Sequence, residues 1–91
     1  MVDEPFETTG NVTPQQVRAA RAWLNWSQQD LANATQVARR AIQEFELGKR
    51  EAQPRTLRDL REALVREGIE FLFLGDRAVG ICAKEPKKSE D

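Results

Sequence analysis

At 91 residues, 40% of them hydrophobic, the chain holds material for one small domain with tails and not for two domains. With no histidine and a single cysteine, Cys82, it cannot build a zinc finger, a histidine-based catalytic site or an internal disulfide. A net charge of −1, at 32% charged residues, gives no overall basic signal for nucleic acid, so the distribution of charge must carry any such reading.

Residues 1–12 hold Asp3, Glu4 and Glu7 and no base, and Pro5 and Gly10 break any periodicity. A flexible acidic tail is expected there. No basic start precedes an apolar run, and no stretch approaches the roughly 20 apolar residues needed to cross a bilayer. Neither a leader nor a membrane association is expected, and the lone thiol fits a reducing cytoplasm, here on the nucleoid.

Thr13, Pro14, Gln15 and Gln16 offer an N-cap, a proline at the first helical position and a glutamine at the capping-box position. The first helix is predicted to run to Leu24, with Val17, Ala20 and Leu24 on one face, and Asn25 to end it in a left-handed conformation. Ser27 caps a short second helix over residues 28–34, with Asp30 near its positive end and Leu31 as its core residue. Residues 34–37 read as a tight turn. A third helix follows over residues 38–47, closed by Gly48. Pro54 opens a fourth, whose stripe of Leu57, Leu60 and Leu64 runs until Gly68 stops it.

Beyond Gly68 the period changes. Residues 69–74 are β-prone, residues 75–77 turn-prone, and residues 78–83 form a return strand, which predicts a C-terminal β-hairpin over 69–83. Residues 84–91 are charged, contain a proline and are expected to be disordered. The fold class is thus mainly α, a four-helix domain over 13–68 with a short β-hairpin.

Two separately capped short helices joined by a turn of about four residues make a helix-turn-helix unit. At roughly 100° per residue, Arg39, Arg40, Gln43 and Glu44 fall on one side of the third helix, and Ala41, Ile42 and Phe45 on the other. The apolar side anchors the helix. The polar side is left free, and it carries three base-reading chemistries: arginine for guanine, glutamine for adenine, glutamate for cytosine. Residues 36–66 add eight bases to five acids, a local excess hidden by the acidic end.

Ala19, Ala20 and Arg21, then Trp26, Ser27, Gln28, Leu31 and Ala32, then Ile42, the run Phe45, Glu46, Leu47, Gly48, Lys49, Arg50, and Thr56 with Leu57 together resemble the lambda-repressor/Cro-like (XRE) helix-turn-helix family. The resemblance implies that Gln28 touches a phosphate at the start of the second helix, and that Arg39, Arg40, Gln43 and Glu44 read bases. It further implies that Lys49, Arg50 and Arg55 contact the DNA backbone, and that Arg21 and Glu46 form a partly buried ion pair between the first and third helices. Three departures stand out. Gln36 occupies a turn position where the family often has glycine, Ala38 replaces a Ser/Thr cap, and a hairpin stands where the family has a fifth helix.

The expected function is sequence-specific binding of double-stranded DNA as a transcriptional repressor or autoregulator, with no cofactor. Phe71, Leu72, Phe73 and Leu74 place apolar residues on both faces of a strand, which makes them candidates for a homodimer interface. Such a dimer would read a palindromic operator with half-sites about 34 Å apart or a multiple of it. The alternative is a regulator of the antitoxin or anti-activator kind, whose strands bind a partner protein. An enzyme is not expected, because nothing in the sequence supplies a reacting constellation. Trp26 reads as filling the large apolar position before the second helix's cap, and Trp23 as lying at the core edge or an interface, rather than either as a stacking platform for single strands.

Overall fold

The computed structural model describes residues 11–83. The tails expected over 1–12 and 84–91 lie outside the described residues, apart from Asn11 and Val12. The elements in chain order are α1 (Pro14–Leu24), α2 (Gln28–Thr35), α3 (Arg39–Glu46), α4 (Pro54–Arg66), β1 (Ile69–Leu74) and β2 (Arg77–Ala83). The helices pack around one core, and the two strands form an antiparallel hairpin against them.

Capping explains where the helices start. The Thr13 side chain accepts from the Gln16 N–H at 3.3 Å, and Gln16 Oε1 accepts from the Thr13 N–H at 3.0 Å. Ser27 and Asp30 repeat the exchange at 2.9 Å in both directions. Each box satisfies two donors that the first turn of a helix otherwise leaves unpaired. Ala38, which has no side-chain acceptor, begins α3 without this help.

Asn25 (φ 62°) ends α1 in the left-handed region, and Gln36 (φ 67°) does the same after α2. Asparagine tolerates that conformation; glutamine pays a steric cost of about 1–2 kcal/mol through its Cβ. The backbone holds Gln36 there through its N–H, which donates to the Ala32 carbonyl at 2.8 Å. Gln36→Gly should therefore stabilise the domain by about 1 kcal/mol, part of the steric gain being returned as chain entropy. A denaturant midpoint that falls instead would show that the Gln36 side chain contributes something the turn needs.

The core draws Val17 and Ala20 from α1, Leu31 from α2, Ile42 and Phe45 from α3, Leu60 and Leu64 from α4, and Ile69, Phe71 and Phe73 from β1. Two sequence expectations change here. Val12, read with the acidic tail, is buried in this core. It precedes the Thr13 cap, and Val17 lies four positions into the helix, the two places at which a hydrophobic staple sets the entry of the chain.

The second change concerns the proposed interface residues. Phe71 and Phe73 are buried against the helices of their own chain, so they are not available to a partner. The strand alternates strictly: Ile69, Phe71 and Phe73 are buried, while Leu72 is half-buried and Leu74 exposed on the other face. The larger apolar surfaces went inward, where their burial gains most.

The hairpin is also one residue tighter than expected. Leu74 pairs with Arg77, leaving Gly75 and Asp76 as the loop, with Gly75 left-handed at φ 64°. Between Leu72 and Phe73 the register shifts, because Gly80 pairs with Leu72 and Ala78 with Phe73, so Val79 is the extra residue. Gln16 covers this irregularity. Its Nε2 donates to the Leu72 carbonyl at 3.1 Å and to the Gly80 carbonyl at 3.0 Å. One buried side chain thus caps α1 and fastens the hairpin to it.

Candidate nucleic-acid interface

The candidate surface starts from the way α3 is held. Ile42 and Phe45 are buried on one side, and Arg39, Arg40 and Gln43 are exposed on the other, as the helical period requires. Ala41, expected on the apolar side, is exposed at its margin beside the loop that follows α3. The surprise on the inner side is Glu46, which is only 2% exposed.

Burying a carboxylate is costly unless its oxygens are satisfied. Arg21 satisfies both: Nε donates to one Glu46 oxygen at 2.8 Å and Nη2 to the other at 2.7 Å. This forked geometry is the one in which guanidinium and carboxylate bind most strongly. The remaining Arg21 nitrogen, Nη1, reaches the Trp26 carbonyl at 3.0 Å, so one side chain ties α1, the α1–α2 turn and the end of α3 together. The hydrogen bond to Glu46 raises the Arg21 pKa above its ordinary value, against the opposing effect of burial. Stability gained from a raised cation persists below the unfolded value and is lost only as pH rises through the folded one, which for an arginine means strong alkali.

The ion pair thus sits where the family resemblance places it. Gln28 does not sit as simply. Its Nε2 donates to Glu46 Oε1 at 3.0 Å, which makes it a third member of the network. Arg18 is a fourth, donating through Nη1 to the Glu46 backbone carbonyl, where the negative end of the helix favours a cation. Arg18 was not singled out from the sequence; its place one turn before the Arg21 level of α1 was the available signal.

On the outer side Glu44 is 27% exposed and lies between two arginines. Arg40 Nε is 3.3 Å from one oxygen and Arg50 Nη1 3.8 Å from the other. Both pairs are solvent-facing, so each contributes at most about 1 kcal/mol and can be exchanged for another partner. Arg39 and Gln43 make no side-chain hydrogen bond or ion pair to any described residue. They are one helical turn apart on the same face.

The loop after α3 turns at Gly48 (φ 75°), whose N–H donates to the Phe45 carbonyl at 3.0 Å, while the Lys49 N–H donates to the Glu44 carbonyl at 3.0 Å. These bonds satisfy the last carbonyls of α3 and turn the chain so that Lys49 and Arg50 are exposed directly after it. The Arg40, Glu44, Arg50 chain brings the loop to the outer face of α3. Arg55 is exposed in the first turn of α4 and has no side-chain partner among the described residues.

Of the apolar candidates, Leu72 and Leu74 stay on the outer face of the hairpin with Val79 also exposed, whereas Phe71 and Phe73 do not. Trp26 packs against the core as expected, and Trp23 is 68% exposed on α1. No helix among the described residues is long and apolar enough to cross a membrane.

A family model described as Helix-turn-helix matches residues 17–64, more than half of the chain. No curated protein matches it.

Proposed function

Because the chain belongs to the helix-turn-helix family, of the Cro and repressor (XRE) type, which binds DNA, we propose that it is a sequence-specific regulator of transcription that sets α3 into the major groove. The observation that carries this reading is the pair Arg39 and Gln43, two exposed side chains without partners among the described residues, on a helix whose other side is anchored. Arginine reads O6 and N7 of guanine with two donors, and glutamine reads N6 and N7 of adenine.

Arg40 and Glu44 complete the reading face. Glu44 accepts from cytosine N4 once Arg40 or Arg50 turns to the DNA, and its charge opposes wrong bases and phosphates, which favours specificity over affinity. Lys49, Arg50 and Arg55 take the backbone. Gln28 has a second amide hydrogen to offer a phosphate while it holds Glu46.

In this reading the protein acts in the cytoplasm, on the nucleoid, as a repressor or autoregulator that needs no cofactor. Two copies joined through the outer surface of the hairpin, at Leu72, Leu74 and Val79, read an inverted repeat. The inward turn of Phe71 and Phe73 leaves both this dimer and the rival reading, a regulator whose strands capture a partner protein, with Leu72, Leu74 and Val79 as their apolar surface.

Selection of genomic fragments with the purified protein tests the proposal. Enrichment of one short site with internal two-fold symmetry is expected, and equal retention of all fragments would refute sequence-specific reading. The backbone assignment makes a separate prediction. Arg50→Ala should lessen the slope of log affinity against log salt by about one, because one fewer phosphate is neutralised, and should weaken all sequences alike. An unchanged slope would remove Arg50 from the contact surface.

A further inference from the structure

Arg40 and Glu44 are one helical turn apart on α3, and the atoms through which they meet decide what Arg40 has left to offer. Arg40 Nε donates to Glu44 Oε2 at 3.3 Å, and no other nitrogen of this side chain bonds a described residue. Both Nη groups are therefore free, on a side chain that is 86% exposed. A guanidinium can present two donors to O6 and N7 of guanine side-on, through Nε and one Nη, or end-on, through both Nη groups. With Nε engaged, only the end-on fork remains.

The carboxylate is itself held. Its other oxygen, Oε1, lies 3.8 Å from Arg50 Nη1, and Glu44 is the most shielded of the three side chains. Glu44 and Arg50 line a recess between α3 and the loop that follows it, together with Glu51. Glu51 forms no ion pair with a described residue. The order of the Arg40 and Glu44 pair matters as well. At this spacing an isolated helix gains most when the acid comes first, and here the base comes first, so the contact adds little to α3 as a helix. Its effect is to restrict a long side chain that otherwise gives up its freedom on binding.

We propose that Glu44 is a positioning residue for Arg40, holding Nε so that the two Nη groups meet a guanine end-on. The role rests on the reading of α3 in the major groove given above, and it puts that reading in order. Arg40 reaches guanine without giving up Oε2. Arg50, on the longer contact, is the one that leaves for a phosphate, and its departure frees Oε1 for a cytosine N4. Arg39 has no such partner among the described residues, so its guanidinium is not restricted to one mode.

The test uses the full chain and the variants Arg40→Ala, Glu44→Ala and Glu44→Gln, with Glu51→Gln as a control that removes one negative charge from the same recess. In the protein without DNA, the Nε–H resonance of Arg40 should move in Glu44→Ala while that of Arg39 stays. On DNA, the enriched site is varied one base pair at a time, and the guanine whose preference disappears in Arg40→Ala is the one that Arg40 reads. Glu44→Ala should lower the preference for that guanine about three- to tenfold, the scale on which a side chain ordered in advance favours binding. Glu44→Gln, which keeps an acceptor oxygen for Nε, should retain more of it, and Glu51→Gln all of it. Affinity for random duplex should rise slightly and alike in the three variants that remove an acid, because that gain is charge alone.

An unmoved Arg40 Nε–H overturns the proposal. So does a guanine preference that survives Glu44→Ala but not Arg40→Ala, an outcome that leaves major-groove reading in place. Equal losses at every base pair in Glu44→Ala overturn it too, because they mark a displaced helix and not a misdirected Arg40. If Arg40→Ala keeps every preference, or no site is enriched, the reading role of Arg40 falls and the positioning role falls with it.

Discussion

Replacing Glu46 with alanine should lower the unfolding free energy by about 3 kcal/mol, because it leaves the Arg21 guanidinium in a partly buried place without its partner. Arg21 is 19% exposed, which lets it recover some hydration and sets the expectation at the low end of the range for broken buried pairs. The loss is not confined to one ion pair. Gln28 Nε2 also loses its acceptor, and a small void opens beside Ile42 on the inner side of α3. For a domain of this size the melting temperature should fall by more than about 10 °C.

A companion variant separates charge from packing. Arg21→Met/Glu46→Leu removes both charges and keeps apolar volume, and pairs of this kind are often replaced without loss. It should regain most of the stability lost in Glu46→Ala. If the single variant melts like the parent protein, the forked contact contributes little and the position of α3 is set by Ile42 and Phe45 alone.

The parts of this arrangement that could be read from the sequence are those set by neighbours in the chain. Thr13 and Ser27 announce their helices because a cap and its acceptor are three residues apart. Gln36 is recognisable as a strained position through the family pattern, which often has glycine there. Glu46 and Arg21 are found through the family pattern. Physical reasoning about composition would have put a carboxylate on the surface, since acids are almost never fully buried without a partner.

What escaped the sequence depends on contacts between distant segments. Gln16 reads as half of a capping box, and nothing local shows that its other end reaches Leu72 and Gly80, 56 and 64 residues away. Gln28 reads as a phosphate ligand because its partner Glu46 lies 18 residues on. In β1 a run of alternating large apolar residues leaves open which face is inside; only the helices it meets decide that Phe71 and Phe73 turn inward. Val12 was the avoidable miss, since its place before the cap matches the staple pattern with Val17.

Arg39→Ala/Gln43→Ala should cut discrimination steeply while leaving the fold intact. Both side chains are exposed and partnerless among the described residues, so their removal should change stability by no more than about 0.5 kcal/mol. On the selected operator each lost bidentate contact costs about 1–3 kcal/mol, and the double variant should lose on the order of a hundred- to a thousandfold in affinity. The two positions are one turn apart and in the proposed mode would address neighbouring base pairs, so their effects need not add. On random duplex the loss should be small, because only one positive charge has gone, and the ratio of specific to non-specific binding is the quantity to measure. That ratio separates reading from mere attraction: in the proposed mode Arg50 would act on both kinds of DNA alike, whereas Arg39 and Gln43 would act on one. If the double variant keeps the parent's preference between operator and random duplex, Arg39 and Gln43 do not read bases.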